Sequence, residues 1–370
     1  MSEQSLIECK NLSVAFGRKK VLENINLSIS PGEFIGLIGI SGSGKSTLIK
    51  SLLGLLRSSG DVYFKGKSIS LAKSHYLNQA GYCTQQNSFY ESLTVLENLR
   101  YFSLFYNIPS KAFKKNLSEI INLTNLGDSL HVVAKKLSGG MKRRLDLACA
   151  LISSPEILFL DEPLSGLDTI RKSNILFILK KVNSLRKTIV FSTHNLSDVE
   201  SLCSRIIVIK EGKIIEDSSK EELVSKYSFV YKILIRMSDK NKGLEQQLLY
   251  RLKKKELKIL GSFKLGEQLS LYVTEPDIAA EEISAFFASN NAAFSWISMM
   301  KPTLSEIFKM IYFEELKNMT KIPLSESEKE SLLSEVSALR KDFSDDEIFQ
   351  YFCRLGIDAH IVSEVLARRN

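Results

Sequence analysis

A chain of 370 residues, 44% hydrophobic and 25% charged, has the balance of an ordinary globular protein and length enough for two domains or more. No segment approaches the roughly 18 consecutive apolar residues of a membrane-spanning helix, and the start from Met1 to Ser5 has neither the basic nor the apolar region of a secretory leader, so a cytoplasmic chain is expected. Five cysteines without a C-x-x-C pair (Cys9, Cys83, Cys149, Cys203 and Cys353) argue against a zinc module or disulfide framework, and the net charge of +8 would suit nucleic acid or an anionic membrane, although Lys253-Lys254-Lys255 reads more readily as one solvated helix face.

Residues 5 to 30 alternate apolar and polar in two runs, Ser5 to Phe16 and Val21 to Ser30, around Gly17-Arg18-Lys19-Lys20, which is a hairpin signature. Pro31-Gly32 turns the chain into a buried strand, Phe34 to Ile38, which feeds Gly39-Ile40-Ser41-Gly42-Ser43-Gly44-Lys45-Ser46-Thr47. This stretch fits the phosphate-loop pattern G-x-x-x-x-G-K-[ST] in the strand-to-helix context that the pattern requires. The glycines let backbone N–H groups turn inward around a triphosphate, Lys45 neutralises β and γ oxygens, and the Ser46 hydroxyl is placed to ligate Mg²⁺, all at a helix N-terminus that favours anions. A helix over Thr47 to Leu56 and an extended pair over Asp61 to Ile69, turning at Lys65-Gly66-Lys67, come next.

From Leu93 to Lys136 the pattern is helical, opened by Thr94 and Glu97 as a capping box, and reads as a lobe inserted in an α/β core. Helix Gly140 to Ser153, strand Glu156 to Leu160, helix Thr169 to Leu185, strand Thr188 to Ser192, helix Ser197 to Leu202, strand Arg205 to Lys210 and an extended segment at Ile214-Ile215 follow. Alternating strands and helices imply a mostly parallel sheet with ligands at its carboxyl ends. A second unit from about Ser228 runs strand (Phe229 to Met237), helix (Leu244 to Lys255), strand (Leu257 to Phe263), strand (Leu269 to Thr274), helix (Asp277 to Ala288), strand (Ala293 to Met299) and helix (Thr303 to Ile311). That is the β-α-β-β-α-β order of a ferredoxin-like α+β domain. Capping boxes at Ser325/Glu328 and Ser344/Glu347, a stop at Gly356 and a cap at Asp358 predict a helical tail ending near Arg368.

Three further motifs complete the pattern. Leu137-Ser138-Gly139-Gly140-Met141 opens an amphipathic helix, Ile157-Leu158-Phe159-Leu160-Asp161-Glu162 ends a buried strand in two carboxylates, and Ser192-Thr193-His194 ends another strand. With the phosphate loop, their order and spacing resemble the nucleotide-binding subunit of an ABC transporter over about residues 4 to 225. The expected fold is therefore α/β, a P-loop ABC ATPase core with a mostly parallel sheet, an N-terminal antiparallel β-subdomain and an inserted helical lobe. The expected divisions are 4–225 for the ATP-binding cassette, 228–312 for the ferredoxin-like accessory domain and 313–370 for the helical extension.

Phosphoryl transfer to water needs positioning and charge neutralisation more than covalent chemistry. Asp161 is expected to order the Mg²⁺ shell and Glu162 to act as general base, because two carboxylates closing a buried apolar strand are costly as mere structure. The resemblance implies further roles: Gln85 contacts metal and attacking water, although Thr84 stands where the family usually has proline and Gln86 adjoins; His194 bonds the γ-phosphate. Phe16 matches the aromatic that stacks on adenine or is a hydrophobic turn residue. Ser138, Gly139 and Gly140 resemble the signature loop, Met141 departing from the common glutamine, and Asp168, in Ser165-Gly166-Leu167-Asp168, matches the loop that crosses the dimer seam. In this family the signature loop of one subunit completes the ATP site of the other, so the implied cofactors are ATP and Mg²⁺, and the implied partners a second copy and a separate membrane permease.

Leu137 to Arg144 and the ending Lys301-Pro302-Thr303-Leu304-Ser305-Glu306-Ile307-Phe308 resemble exporter-type members, whereas a sugar-uptake motor would more often carry a C-terminal β-barrel. The expectation is an exporter motor peripheral to the inner face of the cell membrane, with no direct nucleic-acid partner. The alternative is a soluble ABC ATPase acting on nucleic acid or ribosomes, whose relatives carry paired cassettes, long coiled coils or zinc modules that are not found here.

Overall fold

The computed structural model describes residues 5–237, 244–265, 268–292 and 294–314. The alternation at the start produces the hairpin of β1 (Ile7–Phe16) and β2 (Lys19–Ile29), paired from Ile7↔Ile29 to Phe16↔Lys19. β3 (Phe34–Ile38) is buried at every position, and α1 (Lys45–Leu52) follows the glycine loop. This helix stops short of the expected Leu56 because Gly54 takes a left-handed φ of 66° and the Leu55 N–H turns back to the Lys50 carbonyl at 2.8 Å, a C-terminal cap. β4 (Ser59–Phe64) and β5 (Lys67–Ser68) extend the hairpin into a four-stranded antiparallel sheet, β2-β1-β4-β5.

Two unexpected elements, α2 (Lys73–Asn78) and β6 (Ala80–Cys83), lead to the helical lobe of α3 (Val95–Phe105), α4 (Ser110–Thr124) and α5 (Gly139–Leu151). The expected capping box on α3 is present, with Glu97 N–H donating to Thr94 Oγ1 at 3.2 Å and Thr94 N–H donating to Glu97 Oε2 at 2.8 Å. β7 (Ile157–Asp161), α6 (Thr169–Ser184), β8 (Thr188–Thr193), α7 (Leu196–Leu202), β9 (Arg205–Lys210) and β10 (Lys213–Ser219) complete a six-stranded sheet in the order β10-β9-β3-β8-β7-β6. All its pairs are parallel except β9 with β10. α8 (Lys220–Lys226), on a Ser219/Glu222 capping box, closes this part.

After Ser228 come β11 (Tyr231–Met237), α9 (Leu244–Lys254), β12 (Ile259–Leu265), β13 (Gln268–Val273), α10 (Pro276–Ser289), β14 (Phe294–Met300) and α11 (Leu304–Glu314). Their sheet runs β12-β13-β11-β14, antiparallel throughout, the split βαβ arrangement expected. Ile233, Ile235 and Leu271 pack with Leu248 and Leu252 of α9 and with Ile283 and Phe287 of α10. At the start of α11, Glu306 pairs with Lys232 of β11 at 2.5 Å while accepting the Thr303 N–H at 2.8 Å. Lys253 and Lys254 are exposed in the last turn of α9 and Lys255 pairs with Glu282 at 3.1 Å, as a solvated face requires.

By contacts the chain divides into one unit ending at Lys309 and another beginning at Met310. The expected tail helices around Ser325, Ser344 and Asp358, and Cys353, lie outside the described residues. Cys9, Cys83, Cys149 and Cys203 are buried free thiols.

Candidate functional site

Register alone brings the motif residues to one edge of the parallel sheet. Ile38 of β3 lies beside Thr193 of β8, and Ser192 beside Asp161 of β7, so the phosphate loop, the two carboxylates and His194 all leave neighbouring strands at their carboxyl ends. The loop itself is tightly seated. A Cβ on Gly39 would lie 2.4 Å from the Ile209 carbonyl oxygen, and Gly44, with φ 112°, holds its Cα where a Cβ would meet Leu22 Cδ2 at 2.8 Å. Both positions thus require glycine, and the second sets the first turn of α1, where Ser46 and Thr47 sit.

Lys45 is 5% exposed, and its Nζ donates to the carbonyls of Gly39 at 2.7 Å and Ile40 at 2.9 Å. Burial lowers its pKa, and the negative charge of Glu162 and Asp161 works against that shift. Ser43 donates its N–H to Ile40 O at 3.2 Å, while its hydroxyl is buried without a hydrogen-bond partner. Ser41 is exposed and Gly42 has φ 78° with open space where a Cβ would be, room for an anion on the loop's outer side.

Ser46 Oγ donates to Asp161 Oδ1 at 3.0 Å across 115 residues of sequence, and Ser192 Oγ donates to the same oxygen at 2.7 Å. A hydroxyl and a buried carboxylate sharing one point are hard oxygen donors of the kind Mg²⁺ takes together with phosphate oxygens and water. Among the described residues no group of three or more His, Cys, Asp or Glu could hold a metal by itself, as a site shared with a nucleotide does not need.

Glu162 follows with a left-handed φ of 47°. Its N–H is fixed by Ser192, whose carbonyl and Oγ accept at 3.2 and 3.0 Å. Its carbonyl accepts from Arg143 Nη2 at 3.0 Å, and the next carbonyl, Pro163, from Arg143 Nε at 2.7 Å. Arg143 Nη1 also donates to Thr84 O at 3.0 Å and to Asp146 Oδ2 at 3.2 Å. Asp146 in turn accepts from Ser88 N–H at 2.8 Å and Cys83 Sγ at 2.9 Å; burial pushes its carboxyl upward, against these donors and the Arg143 charge. His194 Nδ1 lies 3.5 Å from Glu162 Oε1, with its ring largely exposed.

Gln85 is exposed just past β6, and no hydrogen bond joins it to Asp161 or Ser46. Phe16 is 54% exposed at the end of β1. Ser138 caps α5, accepting from Met141 N–H at 3.3 Å, and among the described residues no hydrogen bond joins Ser138, Gly139 or Gly140 to the phosphate loop of the same chain. Ser138 and Gly140 line a cavity of about 190 Å³ with Arg144 and Arg171. Asp168 caps α6 by accepting Arg171 N–H at 2.9 Å, and its carboxylate lies 3.1 Å from Arg171 Nε. Sequence reasoning gave no role to Ser192, Arg143 or Asp146. The available signal was Asp146 itself, a charge inside the apolar run Leu145 to Leu151.

The family model described as ABC transporter matches residues 22–165. The Nod factor export ATP-binding protein I of Cupriavidus metallidurans is 30% identical over 273 residues, covering 74% of this chain and 88% of its own. The methionine import ATP-binding protein MetN 1 of Shouchella clausii is 36% identical, covering 58% of this chain and 65% of its own. Among solved structures, a dimeric post-hydrolysis ATP-binding cassette bound to ADP and Pi matches with 28% identity and a TM-score of 0.52, over 58% of this chain and 98% of that one.

Proposed function

The chain belongs to the ABC transporter ATP-binding proteins and has their P-loop ATPase fold, and on that premise we propose that it is the motor subunit of a transporter, closing as a homodimer around two ATP to drive a separate membrane permease. The observation that carries the reading is the meeting of Ser46 and Asp161 at 3.0 Å, with Glu162 next in sequence. Lys45 and the loop amides bind the β and γ oxygens, and Ser46, Asp161 and Gln85 would hold Mg²⁺, which would neutralise phosphate charge. Glu162 takes a proton from the attacking water, and His194, against Glu162, holds the γ-phosphate end. Phe16 stacks on adenine, while Ser138, Gly139, Gly140 and Asp168 serve the nucleotide of the twin chain.

Residues 4–225 form the cassette in this reading, 228–312 an accessory domain and 313–370 a helical extension, the last two packing against the twin. Export of a drug, lipid or polysaccharide is the preferred direction; its support is the Leu137 to Arg144 motif and an open four-stranded second sheet in place of a barrel. Similar proteins carry both export and import names. The motor works peripherally on the inner face of the membrane; among the described residues no helix is long and apolar enough to cross it. Tagged full-length chain purified from solubilised membranes should bring down a polytopic membrane protein. Recovery of ribosomes or nucleic acid instead would favour a soluble ABC ATPase.

A further inference from the structure

Glu162 is a non-glycine residue with a left-handed backbone, at φ 47°, and such a conformation persists only where its surroundings over-determine it. Ser192 holds the amide side of this residue. The carbonyl side is held by a guanidinium that is nearly as buried as the core: Arg143 is 6% exposed. A buried charge of this kind needs its donors matched, and Arg143 finds four acceptors: Glu162 O, Pro163 O, Thr84 O and Asp146 Oδ2. Its planar fork can span two successive carbonyls, which a lysine's point charge cannot.

The four acceptors belong to three different places in the fold. Glu162 and Pro163 follow β7, Thr84 follows β6, and Asp146 lies one turn along α5 from Arg143 itself. Asp146 is not a free counter-ion, because it also accepts Ser88 N–H at 2.8 Å and Cys83 Sγ at 2.9 Å, both from the segment around Gln85. The guanidinium therefore cannot keep all its bonds if residues 83–88 or α5 shift against β7. Any such shift either releases Thr84 or drags the Glu162 carbonyl.

We propose that Arg143 is a positioning residue for hydrolysis, locking the Glu162 backbone so that its carboxylate is aimed correctly only while the 83–88 segment and α5 are in register with β7. The proposal rests on the reading of Glu162 as general base. Asp146 orients the guanidinium, and Ser192 is its counterpart on the amide side. Neither Arg143 nor Asp146 touches nucleotide in this scheme.

The test uses full-length chain with Mg²⁺ and ATP, measuring nucleotide Kd, kcat, KM and melting temperature for Arg143→Lys, Asp146→Asn, Glu162→Gln and the double variant Arg143→Lys/Glu162→Gln. Arg143→Lys keeps the charge and loses the fork. Its Kd and KM should stay within about twofold of the parent, with kcat reduced about 10²-fold, the loss typical of a misplaced reacting group. The double variant should be no slower than Glu162→Gln alone within about twofold, since both changes disable one step. If Arg143→Lys melts below the assay temperature, Asp146→Asn carries the same readouts, with an expected loss of about tenfold. Slow Glu162→Gln beside a parent-like kcat for the folded clamp variants, or an additive loss in the double variant, would overturn the clamp alone. Parent-rate hydrolysis by Glu162→Gln would instead refute the base, and the clamp with it.

Discussion

The parallel sheet β10-β9-β3-β8-β7-β6 gathers buried charge at one edge, where Lys45, Asp161, Arg143 and Asp146 are 5%, 4%, 6% and 1% exposed. The antiparallel sheet β12-β13-β11-β14 keeps an apolar core against α9 and α10, and its notable ion pair, Lys232 with Glu306, fastens the start of α11. Burying a charge is unfavourable unless partners compensate, so these four groups, Asp161 at the end of β7, Lys45 at the start of α1 and Arg143 and Asp146 on α5, mark where the fold accepts strain to hold reactive groups. The second sheet shows what a unit of this chain looks like when packing is its main task. A substitution in the first edge should therefore change chemistry, and one in the second sheet should change stability.

The strongest way to break that contrast is Lys45→Ala. Loss of a desolvated cation from the proposed triphosphate site should weaken nucleotide binding by about 2–5 kcal/mol, on the scale of truncating one partner of a buried charge pair. Titration with a fluorescent ATP analogue checks this, and parent-like affinity would show that the buried lysine is structural.

In the second sheet, Leu271→Ala removes a fully buried side chain and should lower unfolding stability by about 2–5 kcal/mol while nucleotide affinity stays unchanged. Urea unfolding beside nucleotide titration reads both. A matching loss of affinity would mean that the two sheets are coupled in function.

Ser138→Arg sharpens the contrast within the first part of the chain. Because no hydrogen bond joins Ser138 to the phosphate loop of the same chain, nucleotide binding by the monomer should change by less than about twofold, while the proposed ATP-driven dimerisation should be blocked by the added bulk. Monomeric Ser138→Arg that bound no ATP would contradict a site completed across two chains. The smallest effect is expected from Thr303→Ala, which removes the cap that Glu306 N–H reaches at 3.3 Å and should cost about 1 kcal/mol of stability without altering turnover.

Local signals in the sequence carried most of this organisation. The Thr94 and Glu97 spacing locates α3, and the alternation of strands and helices after Ser228 gives the β-α-β-β-α-β element order, which folds into the sheet β12-β13-β11-β14. α8 was legible by the same rule, since Ser219 and Glu222 form a capping box, but the thin apolar periodicity of that stretch hid it. β6 is not legible in the sequence because four residues, Ala80 to Cys83, are too few to show a period. The phosphate loop and paired carboxylates were readable because each motif is contiguous. The grip of Arg143 on Thr84 and Glu162 was not, for it spans 59 and 19 residues and arises only when α5 packs beside the strand ends.

Glu162→Gln in the full-length chain tests the central claim most directly, because it removes the proposed base and leaves the contacts of Lys45, Ser46 and Asp161 in place. Turnover of ATP should fall by about 10²-fold or more while sedimentation in ATP and Mg²⁺ shows dimer accumulating. Hydrolysis near the parent rate, with no dimer trapped, would contradict the assignment of this sheet edge as the hydrolytic centre.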